Sequence, residues 1–204
     1  MLNHSSERGQ PSVIEELRSA TRALHESIGS SPEMLRLFDD DYSMAEYRVH
    51  LGRLLGFFEP LERIASRVTD VGRHACSLQR SSDLREDLRM MGATVSDIDG
   101  LERCQGLPPI PPGDLRGYTY VILGSMLGGR IIVKQLRAVL GQDASLRFYG
   151  DENSRFEAAW VSFRSDLEAN GKNDIEVICA TAVGVFDAYA AWFSKPITMI
   201  GDQR

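Results

Sequence analysis

Residues 120–136 read YVILGSMLGGRIIVKQL. The stretch is long, apolar and free of proline, and it ends in a basic, helix-favouring segment. Yet it carries Gly124, Gly128 and Gly129. A glycine inside a helix costs roughly 0.5–1 kcal/mol relative to alanine, so three cost about 2–3 kcal/mol. Missing side chains let something approach the backbone closely. Gly124 and Gly128 are one helical turn apart and share a face, which Gly129 widens into a bare strip. Two readings stay open on spacing alone: close packing of a second helix, or contact with a flat, rigid ligand. A strand YTYVIL running into a phosphate loop is disfavoured, because GxxxGG is not GxGxxG and lacks the P-loop lysine.

Outward from this stretch the pattern is helical. Ser12 and Glu15 form a capping-box pair that opens a helix to about Gly29, with Val13, Leu17, Leu24 and Ile28 at helical spacing. One or two turns follow Pro32, in MLRLF. Ser43 and Glu46 repeat the capping box and open a long helix to about residue 68. Met44, Tyr47, Leu51, Leu54, Leu55 and Phe58 form its apolar stripe, and Pro60 predicts a kink. A short amphipathic helix spans Ser82 to Met91, and residues 92–113 read as a loop with a turn at DIDGLERC. The glycine-bearing helix occupies Asp114 to Leu140, and another runs from Glu152 to Asn170. The last begins at a cap on Asn173 or Asp174 and reaches about Phe193. No strand alternation and no repeat are visible. The chain is predicted to be an all-α single domain of six to eight helices over residues 12–204, behind a disordered polar arm at 1–11.

The 204 residues suit one core. The net charge of −6 argues against non-specific binding to nucleic acid or an anionic membrane. The three cysteines have no CxxC spacing, so neither a disulfide framework nor a cysteine metal site is expected. The first ten residues lack an apolar core, so no secretory signal is expected, and the longest apolar run is too short for a membrane span. A cytoplasmic setting follows as the expectation.

Of the four histidines, His4 and His74 lie in polar surroundings and His50 borders an apolar stripe as a core-edge residue. His25 projects beside the apolar face of the first helix, one turn after Thr21. A lone imidazole is a poor site for a free metal ion but suffices as one axial ligand to iron held in a macrocycle. Arg18, seven residues earlier on nearly the same face, suits an acidic group at a pocket mouth.

Together, LRSATRALHESI (17–28) and YVILGSMLGGRII (120–132) resemble the heme oxygenases. The GSxLGG form resembles the bacterial branch found beside bacteriophytochromes, as do YRVHLGRLLGFFEPLE (47–62) and FDAYAAWF (186–193). The resemblance implies a heme-oxygenase-like helical bundle with heme clamped between a proximal helix and a kinked, glycine-rich distal helix. It implies His25 as the iron ligand and Arg18 as a propionate contact. It places Gly124, Ser125, Gly128 and Gly129 on the catalytic distal side. Thr21 and Phe186 join the expected heme pocket, and Tyr118, Tyr120 and Arg164 are the candidates for the second propionate.

The implied reaction opens heme to biliverdin with release of carbon monoxide and ferrous iron. Heme is then both cofactor and substrate. O2 and an external electron donor, a ferredoxin or NAD(P)H-dependent reductase, are required, and a bacteriophytochrome is the implied acceptor of biliverdin. The chain departs from the animal-type pattern at Ser125, which stands where those enzymes carry aspartate. No carboxylate lies between Gly117 and Gly141. That absence keeps a non-catalytic heme binder or sensor in view. A thiamine-degrading or quinone-cofactor enzyme of related scaffold would need a cysteine or carboxylate constellation, and none is visible.

Overall fold

The computed structural model describes residues 11–66, 80–111, 114–150 and 154–196. Residues 1–10 of the polar arm, His74 and Cys76 lie outside the described residues. All regular structure among the described residues is helical: α1 (Val13–Gly29), α2 (Pro32–Arg36), α3 (Met44–Ala65), α4 (Ser81–Met90), α5 (Val95–Asp99), α6 (Arg116–Leu127), α7 (Gly129–Leu140), α8 (Ser154–Asn170), a 3-10 turn (Lys172–Asp174) and α9 (Ile175–Phe193). The nine α-helices exceed the expected six to eight for two reasons. The glycine-bearing helix divides at Gly128, and the turn read at DIDGLERC is preceded by a capped helix, in which Thr94 Oγ1 accepts from the Asp97 N–H at 3.1 Å.

The capping signals act as read. The Ser43 N–H donates to the Glu46 carboxylate at 2.8 Å, and the Ser12 N–H donates to Glu15 at 2.8 Å. Asp174 caps no backbone; its carboxylate pairs with Arg116 at 2.6 Å and ties the start of α9 to the start of α6. Pro60 lies inside α3 and is buried there. Met44, expected in the buried stripe, is exposed, because the first turn of α3 projects beyond the core that starts at Tyr47.

Contacts along α9 give the helix directions. Val13, at the start of α1, packs on Gly171, just before α9. Twelve residues on, the His25 ring meets Phe186 edge-on at 6.3 Å. α1 and α9 therefore run parallel. Gly117, at the start of α6, abuts α9 so closely that a Cβ there would sit 2.7 Å from the Ile178 carbonyl. Just beyond its other end, Gly129 touches Tyr149, whose ring stacks on His50, and His50 in turn lies 6.2 Å from Phe193 near the end of α9. α6 thus runs parallel to α9 as well. α8 runs oppositely: Glu168, near its end, accepts the Val13 and Ile14 N–H groups at 3.1 Å each and caps α1 from another helix.

The segment Lys172–Phe193 is long and apolar enough to cross a membrane. Here Ile178, Ala182 and Val185 are fully buried among the packed helices, so it serves as a core helix. Phe186 remains half-buried and belongs to the face described next, whereas Tyr189 packs on Phe57 of α3 and on Phe193.

Candidate functional site

α1 and α6 are joined by one side-chain hydrogen bond. Thr21 is buried, and its hydroxyl donates to the Leu17 carbonyl at 2.9 Å. That hydroxyl proton is then committed, so the Tyr120 hydroxyl at 3.2 Å is the donor to Thr21 Oγ1. His25 lies one turn past Thr21, and Gly124 lies one turn past Tyr120. Because both helices run the same way, His25 and Gly124 reach the same level, about 6 Å beyond the joint. Phe186 arrives at that level from α9.

The two sides of this cleft are open. His25 is exposed and makes no hydrogen bond among the described residues. Its neighbours Leu24 and Ile28 are only half-buried, although periodicity puts them on the apolar face. A Cβ built on Gly124 or on Gly128 would meet nothing within 4 Å. The bare strip therefore does not serve close helix packing at these two positions. Neither glycine is needed for backbone conformation: only Gly92 and Gly141 have positive φ among the described residues, and Gly128 keeps right-handed helical angles, φ −77° and ψ −15°. What the missing side chains supply is room.

Gly129 differs and corrects the expected three-glycine strip. It is buried, and a Cβ there would sit 2.7 Å from the Tyr149 carbonyl oxygen. Its missing side chain serves packing against a loop twenty residues on, so the open face consists of Gly124 and Gly128. Ser125 is exposed, and its hydroxyl donates to the Ile122 carbonyl at 2.7 Å. It is left as an acceptor toward anything in the cleft.

The other expected site residues divide. Tyr118 is fully buried, and its hydroxyl donates to the Pro108 carbonyl; burial pushes its pKa up to about 12. It is turned into the protein and has no hydrogen free for a propionate, which corrects that expectation. Tyr120 stays half-buried at the joint, 6.3 Å from the Trp160 ring. Arg164 lies one turn from Trp160, toward the end at which α1 begins, and so comes level with Arg18. Both arginines are exposed, and no carboxylate lies within ion-pair distance of either among the described residues. Arg22, three residues before His25, shares these properties and was missed because an exposed arginine carries no signal of its own.

No group of three His, Cys, Asp or Glu residues that could hold a metal ion occurs among the described residues. His25 is thus a single exposed imidazole, level with a glycine that has open space over it. That donor set suits iron already held in a planar macrocycle, which needs one axial nitrogen and close backbone approach.

Comparison with known proteins gives the family. Residues 12–195 match the family model described as Heme oxygenase. The chain belongs to the heme oxygenase family. A protein named "Heme oxygenase" from Xanthomonas campestris pv. campestris (strain 8004) is 34% identical over 132 residues, covering 63% of this chain and 73% of that protein. The solved structure of a heme oxygenase from Leptospira interrogans superposes with a TM-score of 0.72 at 21% identity, over 90% of this chain and 99% of the other. At that identity the likeness speaks for the heme oxygenase fold.

Proposed function

We propose that this chain is a heme-degrading enzyme that opens heme to biliverdin, with His25 as the axial ligand to the iron. One observation carries the assignment of the site: an exposed imidazole stands level with Gly124, and open space lies over Gly124 and, one turn on, over Gly128. When bound, heme supplies the iron at which O2 is activated, and it is also the molecule consumed.

The chain's own residues do the rest. His25 would hold the iron through a ring nitrogen rather than a thiolate. Phe186 meets its ring edge-on and limits rotation of the imidazole. Thr21 and Tyr120 hold the two walls at a set separation. Arg18 and Arg164, level with each other, are assigned to the propionates. Gly124 and Gly128 let the distal backbone approach the macrocycle and crowd its open face. Ser125 accepts a hydrogen bond from water there and is not itself an acid, since its own proton goes to Ile122. Proton delivery then runs through water held by backbone groups, because no carboxylate occurs between Gly117 and Gly141.

Electrons come from a ferredoxin or NAD(P)H-dependent reductase, and a bacteriophytochrome is the acceptor we assign to the biliverdin. The cytoplasm suits the unpaired thiols Cys104 and Cys179. The missing distal carboxylate favours a second reading, a non-catalytic heme binder on the same scaffold.

Heme titration tests the ligand assignment. Wild type should give a histidine-ligated spectrum, His25→Ala should lose it, and added imidazole should restore it. An unchanged spectrum in His25→Ala refutes the assignment.

A further inference from the structure

Tyr149 meets the protein at two points that the proposed reaction does not use. Its carbonyl oxygen fills the space beside Gly129, 2.7 Å from where a Cβ would be. Its hydroxyl pairs with His50 Nε2 at 2.6 Å, the two rings nearly parallel at 9°. His50 is 3% exposed, and its Nδ1 has no hydrogen-bond partner; Glu33 Oε1 stands 3.6 Å away. Arg53 pairs with the other Glu33 oxygen at 3.5 Å. Burial raises the Tyr149 hydroxyl well above its ordinary range, so it stays neutral.

The loop leading to Tyr149 is held from the other side. Asp87 is fully buried and accepts from Ser145 Oγ at 2.6 Å, the Arg147 N–H at 3.0 Å and the Phe148 N–H at 3.0 Å. Arg80 donates to the Phe148 carbonyl and lies over its ring. A buried polar pair with one orphaned nitrogen is a poor stabiliser next to apolar side chains of equal shape. What it adds is direction: a hydrogen bond fixes the ring along its axis, where apolar contact lets it slide.

We propose that the His50–Tyr149 pair is a positioning latch, which seats the Tyr149 carbonyl against Gly129 and so fixes the join between α6 and α7 at Gly128. Its bearing on turnover rests on the reading that Gly128 faces the heme; the latch itself does not.

The test uses the full chain without heme, labelled with 15N-glycine. Tyr149→Phe and His50→Phe should each shift the Gly128 and Gly129 amide signals and speed exchange at Gly129 about ten-fold. The double variant should do no more than either single. His50→Gln, whose amide can still pair with the hydroxyl, should move toward wild type. Gly117, far from the loop, should not move. Unchanged Gly128 and Gly129 signals in both singles, or effects that simply add, overturn the latch. Should a variant fail to fold, Gly129→Ala presses the same carbonyl from the opposite side. It should shift the His50 imidazole 15N signal, and no shift there overturns the latch equally. With heme bound, the Phe variants should change the ratio of biliverdin isomers while leaving heme affinity intact. Glycine signals that move without any change in that ratio support the latch and count against Gly128 as a heme contact.

Discussion

Gly124→Ala separates a glycine kept for a ligand from one kept for packing. A methyl at this position meets no atom within 4 Å. The substitution should therefore remove the helix penalty of glycine without a clash and stabilise the heme-free protein by roughly 0.5–1 kcal/mol. For a chain of this size that is a rise of about 1–4 °C in Tm. The same methyl projects into the cleft at the level of His25. Forced into a filled slot it should cost about 1–3 kcal/mol, or roughly five- to 150-fold in heme affinity. Gly129→Ala should behave oppositely in the heme-free protein. Its methyl meets a backbone carbonyl at 2.7 Å, which cannot swing aside like a side chain, and the loss should be about 1–3 kcal/mol. Thermal unfolding followed by circular dichroism, together with heme titration, reads both effects. A lowered Tm for Gly124→Ala, or a raised Tm with unaltered heme affinity and turnover, refutes the reasoning.

Other substitutions probe the supports of the site. His25→Ala should change heme-free stability by less than about 0.5 kcal/mol, since the ring is exposed, while abolishing the axial spectrum. Asp87→Ala strands three donors and should destabilise by about 3 kcal/mol in urea unfolding. Tyr120→Phe removes the joint between α1 and α6 and should cost about 0.5–1.5 kcal/mol in the same assay. Hydrogen bonds from Arg36 and then Ser43 hold Glu46 down to about 2. Its folded value lies below its unfolded one, so its stabilisation is present above about pH 4 and lost as pH falls toward 2. Glu46 is well exposed, so screening keeps the effect below about 1 kcal/mol. The Tm gap between wild type and Glu46→Gln should close over that window.

The parts of this molecule legible in the sequence are the local ones. Capping boxes at Ser12 and Ser43 and the periodicity around Leu17 and Leu51 act within a few residues, so the helices could be read directly. The resemblance already put His25 and Gly124 on one heme, but the joint that sets their two walls links Thr21 and Tyr120 across 99 residues, and no local pattern shows it. Gly129 misled because its partner is a backbone carbonyl in a loop, and a carbonyl has no residue signature. Tyr118 misled for a related reason: the acceptor of its hydroxyl is the Pro108 carbonyl, whose placement no spacing predicts. The cap that Glu168 places on α1 joins residues more than 150 positions apart and was likewise invisible.

The most direct test of the account is a single turnover. The protein is loaded with one equivalent of heme, given a reductant and air, and followed by absorption spectroscopy. The Soret band should give way to the spectrum of biliverdin in wild type and not in His25→Ala. A Soret band that persists in wild type as a stable oxygenated complex contradicts the account and leaves a heme binder.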